Sequence, residues 1–166
     1  MTSRGHVVIA AGYPNTVFKY TADTKLERQI KLSNNILLVS HAIETSTGTS
    51  ILISCDYKTA SKFRHPAVCE VTDEGHIIRS FDIQSLWDSV IVTVPFSWSS
   101  MTTDADSNVY FLGKGGQQVI ILDSRLNLRR VIQTRGVLRC LTYSQETKQL
   151  IVGHCDKSCI SIITIQ

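Results

Sequence analysis

One segment occurs three times and decides the fold: VFKYTADTKLERQI (17–30), VCEVTDEGHIIRSF (68–81) and VIILDSRLNLRRVI (119–132). The first valines of the copies, Val17, Val68 and Val119, are 51 residues apart at each step. Every copy has an apolar run, a polar turn of constant length and a second run that carries arginine. β-Branched and aromatic residues around an Asp-containing turn are typical of a β-hairpin. We therefore predict the same hairpin three times, and CISIITI (159–165) is a fourth copy of its first strand.

A second repeated unit precedes the hairpins, as a short strand, a polar turn and a strongly apolar strand. Its copies are HAIETSTGTSILIS (41–54), MTTDADSNVYFLG (101–113) and CLTYSQETKQLIVG (140–153). If the four strands of a unit are lettered A to D, the chain reads B-C-D, A-B-C-D, A-B-C-D and A-B-C. The predicted units are 4–33, 36–83, 95–134 and 137–166.

Tandem four-stranded units are the signature of a β-propeller. We predict an all-β fold in which residues 1–166 form a single partial propeller of about three and a half blades, with the ring incomplete. A β-sandwich with coincidental spacing is the alternative, and the two equal 51-residue steps disfavour it.

Composition and charge limit the class of protein. The chain is 43% hydrophobic and 19% charged, as in ordinary globular proteins, and its net charge of +3 does not by itself imply nucleic acid. No apolar run approaches the length of a membrane helix, and Val7 to Ala11 is too short for a signal sequence. We therefore expect a soluble, cytoplasmic protein without a membrane partner. Five scattered cysteines argue against a disulfide framework, and four of them lie in apolar runs that predict burial.

Several segments resemble the NHL repeat. TTDADSNVYF (102–111) is similar to the family's core, in which a turn leads into a Val-Tyr-Val-type strand, although Ser107 stands where the family usually has Gly. The hairpin at 68–81 matches the family's second half, and Val137 to Gly153 is similar to the last blade of NHL propellers in tripartite-motif (TRIM) proteins. The resemblance implies the C-terminal half of such a propeller. It also implies a protein-interaction module that selects substrates in a ubiquitin ligase system, whose RING segment this sequence does not contain.

The sequence predicts no catalytic residue, no cofactor and no metal. No nucleophile motif is present, and the cluster His154 to Cys159 lacks a second pair of zinc ligands, so a hairpin turn is the simpler interpretation. A Ca²⁺-dependent propeller hydrolase needs carboxylates that recur at one blade position. The candidates do not recur, and we expect them to be solvated loop carboxylates: Glu44, Asp56, Glu70 and Asp88.

Basic and acidic residues fall in different sets of predicted loops. The basic end consists of the B–C and D–A loops, and the acidic end consists of the A–B and C–D loops. The acidic end carries Asp23, Asp73, Glu74, Asp104, Asp106, Asp123 and Glu146. We predict that the ligand-binding residues lie at the basic end: Lys58, Lys62, Arg64, His65, Lys114, Arg135 and Lys157. The loop from Tyr57 to Pro66 is the first choice for a contact.

The sequence leaves three alternatives open for the basic end and three for the open ring. The basic end fits a protein partner with acidic character or RNA phosphates, and a mixed solvated surface is the simpler alternative. A chain that starts at a B strand and ends at a C strand has two unpaired sheet edges, which favour association. We expect a fragment of a larger gene product, pairing with a missing propeller half, or self-association.

Overall fold

The computed structural model describes residues 6–11, 15–58, 65–83, 100–113, 116–155 and 158–165, with only the backbone of Tyr57 and His65. Within these residues the chain forms fourteen strands in four antiparallel sheets. Sheet 1 contains β1 (Val7–Ala11), β2 (Thr16–Tyr20) and β3 (Leu26–Lys31); sheet 2 contains β4 (Ile36–Glu44), β5 (Ser50–Tyr57), β6 (His65–Thr72) and β7 (Ile77–Asp82). Sheet 3 contains β8 (Met101–Thr103), β9 (Val109–Leu112), β10 (Gln118–Leu122) and β11 (Leu128–Gln133); sheet 4 contains β12 (Leu138–Ser144), β13 (Gln149–His154) and β14 (Ile160–Thr164).

Strands that are adjacent in the sequence pair with each other in every sheet, so each sheet is a simple meander. The strand counts of three, four, four and three in the described residues confirm the predicted all-β, propeller-type fold. No described helix is long and apolar enough to cross a membrane.

The 51-residue repeat is reproduced in the strand register. The predicted hairpin partners are true cross-strand pairs: Val17 with Ile30, Val68 with Phe81, and Val119 with Ile132. A register shift interrupts each hairpin just before its turn, after Lys19, Glu70 and Ile121. Equivalent positions of the sequence therefore have equivalent places in the three sheets.

The three hairpin turns share one backbone conformation. The residue that ends the turn has a positive φ in all three copies: 65° at Thr24, 84° at Gly75 and 63° at Leu126. A tight turn followed by a left-handed residue is the usual source of a bulge at a hairpin end. Only the second copy places glycine there, so Thr24 and Leu126 adopt a conformation that costs an L-residue about 1–2 kcal/mol.

The chain divides into two compact units, Met1–Phe96 and Ser97–Gln166. In the first unit, sheet 1 supplies Val8, Ala10, Val17 and Ile30 to a core shared with sheet 2. The sheet 2 side of this core includes Ile51, Ile53, Cys55, Ala67, Cys69 and Val71.

The second unit repeats this arrangement with sheets 3 and 4. Sheet 3 supplies Tyr110, Leu112, Val119 and Ile121, and sheet 4 supplies Leu138, Leu141, Leu150 and Val152. In each unit, the apolar side of one sheet is covered by the apolar side of the next.

Two sequence predictions about burial were wrong. Glu44, Asp56 and Glu70 are buried strand residues with 5, 5 and 7% exposure rather than solvated loop carboxylates, while Asp88 lies outside the described residues. Glu44 is the last residue of β4 and Asp56 lies next to the end of β5, whereas Glu70 lies inside β6. Only two cysteines, Cys55 and Cys69, are buried, whereas three are exposed in sheet 4 and its turn: Cys140, Cys155 and Cys159.

Candidate interaction surfaces

In the first unit, hydrogen bonds join the loops of the predicted basic end. The N–H of Leu32, after β3, donates to the carbonyl of Asn15, before β2, at 3.1 Å. The N–H of Lys58, after β5, donates to the carbonyl of Asn35 at 2.7 Å. B–C loops and D–A loops therefore meet at the same end of these sheets.

The second unit shows the same arrangement. The N–H of Thr134 donates to the carbonyl of Gln117 at 2.9 Å, and the N–H of Cys155 donates to the carbonyl of Val137 at 2.8 Å. Each bond links a loop after a D strand with a B–C loop. Loops that are fixed to each other in this way form a defined platform on a rigid scaffold.

The structure describes two of the predicted binding side chains, Lys58 and Arg135, and both are exposed. Lys62, Arg64, Lys114 and Lys157 lie outside the described residues, and His65 is described only by its backbone. His65 pairs with Tyr57 and Pro66 with Asp56 across β5 and β6, so the two ends of the predicted loop 57–66 belong to strands. This pairing assigns His65 to a strand, where sequence analysis placed it in a loop.

At the acidic end, much of the negative charge stabilises turns. Asp104 Oδ1 accepts the Asn108 N–H at 2.8 Å, and its Oδ2 accepts the Asn108 side-chain amide and the Tyr110 hydroxyl, both at 2.8 Å. Asp104 is only 8% exposed. Burial of Tyr110 and its hydrogen bond to Asp104 raise the pKa of that phenol. Ser107 in this turn has a φ of 62°, a conformation that favours glycine.

The turn at Asp123 has the same kind of hydrogen bonds as the Asp104 turn, but it is exposed to solvent. Its Oδ1 accepts the N–H groups of Arg125 and Asn127, each at 2.8 Å, and its Oδ2 accepts the Asn127 side-chain amide at 3.0 Å. The hydrogen bond from the Asn127 side chain lowers the pKa of the Asp123 carboxyl. The pattern Asp-x-x-x-Asn therefore organises both an A–B turn and a C–D turn.

Other carboxylates of the acidic end form ion pairs. Asp23 pairs with Lys25 at 2.9 Å on the surface, and Arg28 on β3 reaches Asp73 at 3.3 Å and Glu74 at 3.8 Å in the turn of the next sheet. Charge that is engaged within the fold contributes less to the attraction of a partner.

The first unit contains a buried ionic cluster that the sequence did not predict. Lys19 Nζ lies 2.8 Å from Glu44 Oε1, with side-chain exposures of 6 and 1%. His6 Nδ1 is 3.2 Å from the same oxygen, and its Nε2 is 3.2 Å from Glu27. Burying such charges is costly unless they are paired. Here the ion pairs between sheet 1 and sheet 2 offset that desolvation cost and hold the two sheets together.

A second buried carboxylate, Glu70, is satisfied within sheet 2. It accepts the Ser50 hydroxyl at 2.5 Å and the Nε of Arg79. Glu44 and Glu70 therefore have structural partners, and their positions give no support to a converging cation site. No group of three or more His, Cys, Asp or Glu suited to a metal is found in the described part of the chain.

The His154–Cys159 segment forms the turn between β13 and β14, with Asp156 and Lys157 outside the described residues. His154 Nε2 is 2.8 Å from the Ser161 hydroxyl across this turn. Elsewhere, the buried thiols of Cys55 and Cys69 are 3.7 Å apart, and their hydrogen bond and burial raise the pKa of Cys55.

Among the described residues, the edge strands β1 and β14 each carry two exposed apolar side chains on one face, and further exposed apolar residues lie on β3, β7 and β11: Leu26, Ile77, Ile78 and Leu128. On β1 at the edge of sheet 1, Val7 and Ile9 are 43 and 49% exposed. On β14 at the edge of sheet 4, Ile160 and Ile162 are 68 and 59% exposed. Sequence analysis predicted these two open edges, but it did not identify the faces that carry the apolar side chains.

Comparison with known proteins shows the fold. The chain is similar to Kuenenia stuttgartiensis hydrazine synthase, with a TM-score of 0.65, 10% identity, and coverage of 96% of this chain and 55% of that chain. It is also similar to the β-propeller domain of Myceliophteria thermophila Cps50 (Swd1), with a TM-score of 0.59 and 10% identity over 98% of this chain and 55% of that chain. BamB from Moraxella catarrhalis gives a TM-score of 0.57 at 12% identity, with coverage of 99 and 42%.

These similarities establish a β-propeller type of fold. The chain spans about half the length of the solved structures that it matches. No protein-family model matches the sequence, and no curated protein matches it.

Proposed function

We propose that this chain is a non-catalytic propeller module that binds a protein partner through the basic end of its sheets. The observation that carries the proposal is the set of backbone hydrogen bonds that fix the B–C and D–A loops to each other in both units. These loops present Lys58 in the first unit and Arg135 in the second. Each unit thus presents a preformed set of loops with an exposed cation, which fits an acidic peptide segment.

The contrast with the opposite end supports this choice. At the acidic end, Asp104 and Asp123 organise their turns, and Asp73 and Glu74 pair with Arg28. The hydrogen bond that fixes the Lys58 loop uses the backbone N–H. Substitution of either cation should therefore leave the loop bonds intact.

More specifically, we propose that the protein-binding module is of the NHL type and selects substrates in a TRIM-like ubiquitin ligase system. It rests on the resemblance of residues 102–111 to the NHL core. The φ of 62° at Ser107 is consistent with that resemblance, because glycine, the family's usual residue, adopts this conformation at no steric cost. Similarity to propellers at 10–12% identity supports the module without naming its partner.

The test is binding of a labelled acidic peptide, measured by fluorescence anisotropy at several salt concentrations. We expect saturable binding that weakens with salt, and a loss of about tenfold in affinity for Lys58→Glu and for Arg135→Glu. Arg125→Glu is the matched control, because it makes the same charge change in an exposed C–D turn. The control should bind as the unaltered chain does.

Single-stranded RNA serves as the competing ligand in the same assay. Tighter binding of RNA than of the peptide, lost in the same two variants, would replace the protein partner by RNA at the same end. Equal losses in all three variants would show general charge attraction and would overturn the proposed surface.

A further inference from the structure

Two thiols face each other in the core of the first unit. Cys55 on β5 and Cys69 on β6 are both 0% exposed, and their Sγ atoms are 3.7 Å apart. Cys55 pairs with Ala67 and Cys69 pairs with Ile53, so the two cysteines are diagonal neighbours on one face of sheet 2. This face packs against sheet 1. Two sulfurs in contact on adjacent strands are the reactants of a disulfide bond.

The same diagonal is a close contact in another sheet of the repeat. In sheet 3 the corresponding residues are Gly113 and Ile120, and a Cβ on Gly113 would lie only 2.9 Å from Ile120 Cδ1. In sheet 1 the corresponding residues are Ala11 and Phe18. Both pairs combine a small residue with a large apolar one. Sheet 2 has a thiol at each position instead, which places two reactive groups where apolar packing alone does not require them.

A disulfide suits this pair better than a metal ion does. Structural zinc needs four ligands, and neither thiol belongs to a group of three or more potential metal ligands in the described part of the chain. A disulfide needs only the two sulfurs, which must come from 3.7 Å to about 2.05 Å by side-chain rotation and a small relaxation of the strands. A diagonal pair is wider than a directly opposite pair, so the bond would be strained, and strained disulfides are the more easily reduced. The site therefore suits reversible oxidation.

The closed fold protects both thiols from oxidants. Val17 and Ile30 of sheet 1 belong to the same core cluster as Cys55 and Cys69. The hydrogen bond with Cys69 and burial raise the pKa of Cys55, so little of its reactive thiolate is present while the core is closed. Packed elements of a native protein open locally without unfolding of the whole chain. Oxidation of the pair therefore requires that sheet 1 move away from sheet 2.

We propose that Cys55 and Cys69 form a redox site, which a peroxide oxidises to an intramolecular disulfide when sheet 1 opens from sheet 2. One thiolate attacks a peroxide oxygen, the O–O bond breaks, and the sulfur becomes a sulfenic acid while the other oxygen leaves as water. The second thiolate attacks that sulfur, the S–S bond forms, and the sulfenic oxygen also leaves as water. Two thiols and one hydrogen peroxide thus give one disulfide and two water molecules, so the sulfurs are oxidised and the peroxide oxygens are reduced.

The disulfide would join the two strands on either side of the Lys58 loop. β5 ends at Tyr57 and β6 begins at His65, so the bond between Cys55 and Cys69 closes the base of the segment that carries Lys58. Any effect of oxidation on partner binding rests on the proposed function. Formation of the disulfide does not depend on that function, so the two proposals can fail separately.

The test uses the full chain with its three exposed cysteines replaced, so that only the buried pair can react: Cys140→Ser, Cys155→Ser and Cys159→Ser. The reduced protein is treated with hydrogen peroxide, the excess is removed with catalase, and the protein is alkylated in denaturant. Mass spectrometry should show a chain that is lighter by two hydrogens and is not alkylated. A disulfide should join the tryptic peptides 32–58 and 65–79. Reduction with dithiothreitol should restore two thiols that can be alkylated.

Two matched variants in the same background test the role of opening. Val17 and Val119 are both 0% exposed and occupy the same place in the repeat, but only Val17 packs in the core that holds the pair. Val17→Ala should speed disulfide formation by about tenfold or more, because the loss of buried methyl groups weakens the contact between sheets 1 and 2. Val119→Ala, the control in the second unit, should leave the rate unchanged.

The outcomes separate the alternatives. Two thiols that are still alkylated after peroxide treatment would overturn the proposal, as would addition of oxygen to one cysteine without a cross-link, or a cross-link between two chains. Equal acceleration by the two valine variants would also overturn it, because oxidation would then follow unfolding of the whole chain. Circular dichroism checks that the variants are folded, and the milder pair Ile30→Val and Ile132→Val repeats the comparison if either is not. A disulfide within one chain, formed faster only when the first unit is altered, is the expected result.

Discussion

The strongest prediction compares two turns with the same hydrogen bonds, one buried around Asp104 and one exposed around Asp123. Asp104 and Asp123 each accept a backbone N–H and a side-chain amide from the asparagine four residues later. Asp104 is 8% exposed and accepts the Tyr110 hydroxyl in addition, whereas the bonds of Asp123 are exposed to solvent. The cost of removing the carboxylate should therefore be determined by burial rather than by the number of hydrogen bonds.

The magnitudes follow from the donors that are left behind. Asp104→Ala removes the acceptor of three bonds at about 1–1.5 kcal/mol each, and the buried Tyr110 hydroxyl and Asn108 N–H lose a partner, so we expect a loss of about 3–4 kcal/mol. In Asp123→Ala, water can reach the released N–H groups, and we expect a loss of about 1 kcal/mol. Asp104→Asn keeps one acceptor oxygen and should have an intermediate cost.

The assay is guanidinium unfolding followed by circular dichroism, with the slope compared between variants. Both aspartates belong to the compact unit Ser97–Gln166, so both substitutions report on the same part of the chain. Equal costs for Asp104→Ala and Asp123→Ala would refute the reasoning, as would a cost below about 1 kcal/mol for Asp104→Ala.

Four further predictions concern the turns and the thiols. Thr24→Gly should raise stability by about 0.5 kcal/mol in a thermal melt, because relief of the 65° φ exceeds the added chain entropy, and no gain would contradict it. Gly75→Ala should lower stability by about 2 kcal/mol or more, because the new Cβ would lie 2.2 Å from the Lys31 carbonyl oxygen; an unchanged melting temperature would contradict it. A thiol reagent should modify three cysteines rapidly in dilute native protein and all five in denaturant, with mass spectrometry assigning the fast sites to Cys140, Cys155 and Cys159. Side-chain hydrogen bonds lower the pKa values of three turn carboxylates, Asp23, Glu74 and Asp123. Their contribution to stability is therefore present above about pH 4 and is lost as the pH falls through the lowered pKa values. Thermal melts from neutral to acid pH should show this loss, and a melting temperature that stays constant below about pH 4 would exclude it.

The sequence was sufficient for the fold because the repeat carries register as well as strand type. Equal 51-residue steps from Val17 and from Ile30 require that the two residues pair in the same way in each copy, and they do. Even the departure at Ser107 is informative, since the positive φ remains where glycine is absent.

Side-chain environment was harder to predict because it depends on partners that are remote in the sequence. Nothing near Glu44 indicates that Lys19, 25 positions earlier and on another sheet, will lie 2.8 Å away. A lone acid beside a polar turn was therefore assigned to solvent. The burial of the cysteines was predicted wrongly for a related reason. Cys140 lies in an apolar strand, but it pairs with Gly153 on the face of sheet 4 opposite the core shared with sheet 3.

The charge asymmetry and the exposed faces have a common origin in the repeat. A turn that ends each hairpin needs an acceptor such as Asp123, so carboxylates accumulate where C–D and A–B turns lie, and their charge is used within the fold. The loops at the other end are joined by backbone hydrogen bonds, and the side chains of Asn15 and Thr134 add hydrogen bonds to backbone carbonyls there. The same repeat explains the exposed apolar side chains, because positions that are buried between consecutive sheets remain apolar in sheets 1 and 4, where Val7, Ile9, Ile160 and Ile162 are 43 to 68% exposed.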